Sequence, residues 1–226
     1  MTGPPIYRTS VGKKMLMAAS GLVILLWLIG HMAGNLKVWL NQREFDSYAE
    51  FLRRFGEPIL PHSVLLWIIR VVLAIAFVVH VYLAIDLSVH NRRARTVRYA
   101  KTARVEADIP AVTMRWGGLA LGLFVIFHLA NFTWGTIHPG YRFVRGSVYA
   151  NVVGNFQEWW LVAIYVAAMA ALGLHLYHGT WSIFQTFGLN SRRWDRLIRR
   201  SAATLAVVMF VGFVSVPIGV MVGAIA

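Results

Sequence analysis

The sequence predicts an all-α integral membrane protein, a single-domain bundle of five transmembrane helices. Three observations carry that expectation. Of 226 residues, 58% are hydrophobic and only 14% are charged. The mean hydropathy is +0.60. The charged residues are also clustered, leaving five apolar stretches long enough to cross a hydrocarbon core of about 30 Å at about 1.5 Å per residue.

The first span covers roughly Lys14 to Leu40. Its apolar run has no clear cleavage site and carries a deep histidine, so it is expected to be a retained helix and not a signal peptide. NQREFDSYAEFLRRFGEPILP follows, a polar and amphipathic connection with Pro58 and Pro61 as breakers. The second span covers roughly His62 to Val89, and NRRARTVRYAKTARVEADIP after it is the most basic part of the chain. The third runs from about Ala111 to Trp134, ahead of a segment rich in glycine and aromatics, GTIHPGYRFVRGSVYANVVGN. The fourth, Gln157 to Phe184, leads through GLNSRRWDRLIRR to the fifth, Ser201 to Ala226.

The formal charge of +13 would suggest nucleic acid in a soluble protein. Here the basic residues lie in short segments between apolar runs, so membrane topology accounts for them and no nucleic-acid partner is expected. One set of flanks holds Arg8, Lys13, Lys14, Arg92, Arg93, Arg95, Arg98, Lys101, Arg104, Arg192, Arg193, Arg196, Arg199 and Arg200. The opposite set holds Lys37, Arg43, Arg53, Arg54, Arg142 and Arg145. The positive-inside rule then predicts an N-terminus inside and a C-terminus outside. Trp39, Trp67, Trp134, Trp159 and Trp160 fall near span ends, as interfacial aromatic belts do. The chain has no cysteine. It can form no disulfide, and any iron–sulfur cluster ligated by cysteines must sit on a partner.

Four spans carry deep histidines: His31, His80, His128 and His175. An ionisable side chain at that depth is costly without a partner and marks a functional site. His31 and His128 lie about equally far along spans that run outward, His80 and His175 about equally far along spans that run inward. At about 1.5 Å per residue the two levels are expected to differ by roughly 10–15 Å. A single deep histidine can be no more than an interhelical hydrogen-bonding residue. Four of them in two depth-matched pairs predict axial ligation of two haem irons, His31–His128 on the outer side and His80–His175 on the inner. Six-coordinate iron has no open position, so the expected role is electron transfer and not oxygen chemistry.

His178 lies three residues from His175 and faces a neighbouring direction; it is expected to bond a haem propionate, a carbonyl or water. His62, His90 and His138 sit at span ends and are expected to be interfacial. Arg70, inside the second span, requires an anion or a snorkelling path, and a propionate of the outer haem is the expected partner. Gly21, Gly30, Gly34, Gly117, Gly118, Gly122, Gly173 and Gly179 recur near the histidines. They would admit a flat macrocycle or close helix packing. GHMAGNLKVW and FHLANFTWG form a weak internal repeat, the first two spans echoed by the third and fourth.

Across essentially its whole length the chain resembles the cytochrome b subunit of succinate dehydrogenase, in the di-haem b558 type with five helices. The resemblance rests on SGLVILLWLIGHMAGNL followed by FDSYAEFL, on VVHVYLAI followed by NRRARTVRYA, on HLANF, and on His175 spaced from Gly179 and Trp181. That last spacing favours His175 over His178 as the ligand. The resemblance implies a membrane anchor in a bacterial cytoplasmic (inner) membrane. A flavoprotein subunit holding FAD and an iron–sulfur subunit would dock on the cytoplasmic face. Two haems b would relay electrons to a quinone, menaquinone in this type, within membrane lipid. It also implies a quinone site near the outer haem, beside the loop bearing Glu44, Asp46, Glu50 and Glu57. Fumarate-reductase relatives carry a glutamate two residues before the fourth-span ligand; Gly173 stands there, which fits succinate oxidation better. Three alternatives stay open from the sequence: the equivalent subunit of a quinol:fumarate reductase, a haem-free anchor or transporter, and another di-haem cytochrome b such as a hydrogenase subunit.

Overall fold

The computed structural model describes residue 5 and residues 9–93 and 109–226, without the side chains of residue 92 and residues 109–113. Every regular element among them is helical. Of the basic residues named above, Arg8, Arg95, Arg98, Lys101 and Arg104 lie outside the described residues, as does the Ala94–Arg95 end of the loop motif.

Helix α1, Ser10–Asn35, starts where the Thr9 hydroxyl accepts from the backbone N–H of Gly12 at 3.1 Å, satisfying one of the orphan donors of a first turn. It tightens into a 3₁₀ turn over Leu36–Trp39. The polar connection that follows is itself a helix, α2, Gln42–Arg54. Asn41 caps it by accepting from Glu44 N at 2.9 Å, and Arg53 and Arg54 complement the dipole at its end. Its one buried residue is Phe45.

α3 spans Val64–Arg93 and α4 spans Ile109–Leu129. Just past His128, α4 widens into a π turn over Ala130–Trp134 that closes at Gly135, where φ is +65°. A glycine is needed there because the N–H groups of Thr136 and Ile137 fold back to the Ala130 carbonyl through a left-handed residue. The glycine-rich segment after it holds a short helix, α5, Val148–Asn155. α6 covers Trp159–Thr186 and α7 covers Asp195–Met221.

The five predicted spans correspond to α1 with its 3₁₀ end, α3, α4 with its π turn, α6 and α7, each long and apolar enough to cross a membrane. The fifth begins earlier than predicted because Asp195 and Arg199 pair across one turn at 2.9 Å, extending the helix beyond its apolar part. It also ends earlier, at Met221. Gly223, at φ +76°, turns the last residues back, so that Ile225 is buried and the Ala226 carbonyl accepts from the Tyr149 hydroxyl at 2.9 Å.

α6 and α7 form an antiparallel hairpin. α1 packs on both and on α3, and α4 packs on α6. Lys13 meets Asp86 at 2.7 Å, and the Trp181 indole N–H donates to Asp195 at 3.1 Å. The starts of α1 and α7 and the ends of α3 and α6 therefore share one face, here the N-terminal face. Trp39 and Ser215 meet at the far face. There α2 and α5 cap the bundle over a core of Val38, Phe45, Leu161, Val162 and Val216. α3 is peripheral. Only 6% of its apolar window is buried, against 39% for α7, so most of its hydrophobic surface is turned outward.

Candidate functional site

The four deep histidines come together in the two expected pairs. The rings of His31 and His128 have centroids 5.9 Å apart. Those of His80 and His175 are 6.2 Å apart. Among the described residues, α1 shares little other packing with α4, and α3 little with α6. In each case an imidazole pair bridges a gap.

Two rulers measure the distance between the pairs. On α1, the His80 ring is level with Met17 and Gly21: its Nδ1 lies 3.1 Å from the Met17 carbonyl oxygen, and a methyl at Gly21 would lie 3.1 Å from its Cε1. His31 is ten residues farther along, or about 15 Å. On α4, a methyl at Gly118 would lie 4.0 Å from Cε1 of His175. His128 is again ten residues farther along, again about 15 Å. The internal repeat thus has a spatial counterpart: α1 on α3 and α4 on α6 each set a glycine against a histidine, ten residues before a histidine of their own.

Each ring's surroundings bear on which nitrogen is offered. The Met17 carbonyl can only accept, so His80 Nδ1 carries the hydrogen and Nε2 keeps its lone pair. Ser20 donates to the same carbonyl at 3.0 Å. His175 Nδ1 is buried without a hydrogen-bond partner among the described residues. An uncompensated polar atom inside an apolar helix costs free energy that packing alone does not repay. His31 stacks on Trp27 at 4.5 Å. His128 Nδ1 lies 3.4 Å from the Tyr165 hydroxyl.

This donor set fits haem iron. Two metal–nitrogen bonds in line, each about 2 Å, and about 1 Å from each nitrogen to its ring centre, separate bis-ligated centroids by about 6 Å. Both pairs stand at that separation. The glycines divide by role. A methyl at Gly30, Gly117, Gly122 or Gly179 would meet nothing within 4 Å, which leaves backbone open to a flat group. Gly34 and Gly173 serve helix packing instead: Gly34 faces the Tyr48 ring, and Gly173 faces Ala206 and Phe210 of α7.

Other predicted residues fall elsewhere. Arg70 is ten residues before His80 on α3 and so level with His31, but it is exposed and its guanidinium lies 5.0 Å from the Trp67 ring centre. His178 is half-buried, its ring 5.9 Å from that of Trp181. His90 and His138 are exposed near helix ends. Asp46 accepts from the backbone N–H of Tyr149 at 3.0 Å and so caps α5. Glu50 pairs with Arg53 at 2.9 Å. Glu57 pairs with Arg54 and His62, and hydrogen bonds from His62 and then Arg54 hold its carboxyl below the usual carboxylate range. Glu44 is exposed in the first turn of α2.

Sequence reasoning passed over a buried polar group behind His128. Asn131 and Asn155 have no exposed surface, and Asn151 has almost none. Asn131 donates to the Ile137 carbonyl at 2.9 Å and to Asn155 Oδ1 at 3.1 Å. Tyr165 donates to Asn131 Oδ1 at 3.3 Å. The one signal for it was the Asn that follows the histidine in HLANF. Asp86, a lone acid in the apolar run of α3, also went unread; it pairs with Lys13 near the N-terminal face.

No family model, no curated protein and no solved structure matches this chain.

Proposed function

We propose that the chain is the membrane-anchor cytochrome b subunit of succinate dehydrogenase, relaying electrons from a partner iron–sulfur subunit to a membrane quinone, menaquinone in this type, through two haems b. The observation that carries it is the pair of histidine bridges, 5.9 and 6.2 Å between ring centres. They span pairs of helices that share little other packing and stand on two levels about 15 Å apart.

In this reading His31 and His128 hold one haem, and His80 and His175 hold the other. When bound, haem b would supply one-electron chemistry, and two histidines holding each iron would leave no position for oxygen. The chain's own residues do the rest. Carbonyl and hydroxyl partners hold Nδ1 of His80 and of His128, so that Nε2 of each keeps its lone pair. Apolar helix walls exclude water. Gly21 and Gly118 let the partner helix's histidine approach. Lys14, Arg192, Arg193, Arg196 and Arg200 are exposed at the N-terminal face. By the positive-inside rule they lie on the cytoplasmic side of a bacterial inner membrane. There they meet the iron–sulfur subunit, which with the flavoprotein subunit carries the iron–sulfur clusters and the FAD.

The test is a dithionite-reduced minus oxidised spectrum of the purified complex, with haem quantified per chain. Two low-spin b-type haems per chain are expected. A complex assembled without haem would overturn the proposal.

A further inference from the structure

We infer that Tyr165 is a positioning residue for His128, and that a chain of buried hydrogen bonds starting at the loop after α4 fixes which nitrogen His128 presents. This rests on the reading of His31 and His128 as haem-iron ligands.

Each donor and acceptor along the chain has a fixed capacity. Two backbone carbonyls anchor it, because a carbonyl can only accept. Asn155 Nδ2 donates to the Asn151 carbonyl at 2.8 Å, so Asn155 Oδ1 is the atom turned toward Asn131. Asn131 Nδ2 donates to the Ile137 carbonyl at 2.9 Å and to that Oδ1 at 3.1 Å. Both its hydrogens are used, and its Oδ1 must accept. The neighbour of that oxygen is the Tyr165 hydroxyl, at 3.3 Å. Tyr165 has one hydrogen and gives it to Asn131. Its oxygen can then only accept from His128 Nδ1, 3.4 Å away. His128 therefore carries its hydrogen on Nδ1, and Nε2 is left with a free lone pair, in a ring whose centre is 5.9 Å from that of His31.

The amides are anchored, not adrift. Asn151 Oδ1 accepts from the Val144 N–H at 2.8 Å, and its Nδ2 donates to the Val144 carbonyl at 2.7 Å. The direction of the whole chain is thus imposed by loop backbone and α5, and it ends on a ligand nitrogen. The Tyr165 ring is held in place separately, by Phe124 at 5.0 Å and Phe156 at 4.9 Å. Removing the hydroxyl should leave that packing intact.

A ligand whose second nitrogen donates a hydrogen bond is the more basic ligand, and basicity favours ferric iron. In Tyr165→Phe the His128 N–H loses its acceptor. At a fixed potential the ferric-to-ferrous ratio of that haem should fall roughly three- to tenfold, by the worth of one hydrogen bond; tenfold corresponds to 59 mV for one electron. The other haem should not move. The experiment is an optical and EPR redox titration of the purified, haem-loaded complex, comparing wild type, Tyr165→Phe and the packing control Phe156→Leu.

An upward shift in one haem only, absent from Phe156→Leu, supports the inference. An unshifted Tyr165→Phe with both haems bound overturns it and leaves the haem reading standing. Equal shifts in both haems, the same shift in Phe156→Leu, or outright loss of that haem would make the hydroxyl a structural prop and also overturn it. A wild-type complex without haem overturns the functional proposal itself and this inference with it.

Discussion

At the His80–His175 level one imidazole bonds a main-chain carbonyl of α1 and the other has no hydrogen-bond partner at Nδ1. At the His31–His128 level one imidazole stacks on Trp27 and the other joins a chain of three side chains, Tyr165, Asn131 and Asn155, anchored on the Ile137 carbonyl of the loop and the Asn151 carbonyl of α5. The two levels match in ring separation and in helix spacing, yet differ in what orients the rings. A backbone carbonyl cannot be removed by substitution, so the first level is sensitive to shape. Side-chain partners can be exchanged, so the second level is adjustable one atom at a time. The far-face half of the bundle also has the dense core and the caps α2 and α5, which is where such a chain can be built without exposing it.

Removing a ligand should separate the two levels most clearly. His31→Ala or His128→Ala should take haem from two per chain to one, and His80→Ala or His175→Ala should remove the other one, with a different spectrum lost in each case. His178→Ala should retain two. Haem extraction with difference spectra checks this, and a variant losing the haem assigned to the opposite pair would refute the pairing.

Next in size is Asn155→Leu. It leaves one Asn131 amide hydrogen buried and unpaired, a cost of about 1–3 kcal/mol. The damage should fall on one level: on warming, the His31–His128 haem should be released first, while the other keeps its wild-type temperature.

A smaller effect separates two equivalent glycines. In Gly21→Ala the new methyl would stand 3.1 Å from the His80 ring, which is held by Met17 and cannot easily retreat; the spectrum of that haem should change. In Gly118→Ala the corresponding gap is 4.0 Å, an ordinary contact, and the spectrum should match wild type. Identical spectra for both variants would show that the two histidines of that level are equally tolerant.

The smallest effect concerns the turn joining α2 to α3. Glu57 has a lowered folded-state pKa, through His62 and then Arg54. A depressed carboxyl contributes stability above the ordinary carboxylate range and loses it as pH falls through the lowered value. Proteolysis of the 55–63 turn should therefore quicken on acidification in wild type and less so in Glu57→Gln, with haem content unchanged in both.

Much of this was legible in the residues. Five apolar runs must become helices, because backbone N–H and C=O groups in lipid have no other partner. Depth along a helix is a count of residues, so the matched positions of His31 and His128, and of His80 and His175, could be read without coordinates. The α5 helix was less visible: its Tyr149, Val152, Val153 and Phe156 spacing is short and lies among glycines. Tyr165 looked like any aromatic in an apolar span, since periodicity reports which residues are apolar and not where a hydroxyl points.

The number of spans, their approximate limits and the levels of the histidines were thus determined by the sequence alone, through hydrophobicity and the fixed rise of the helix. Which helices touch, which glycines face a ring and which face open space, that Arg70 turns outward to Trp67, and which nitrogen His128 presents were decided only by the tertiary structure. Those properties depend on rotation about each helix axis and on donors meeting acceptors far apart in the chain, and neither is written in any local run of residues.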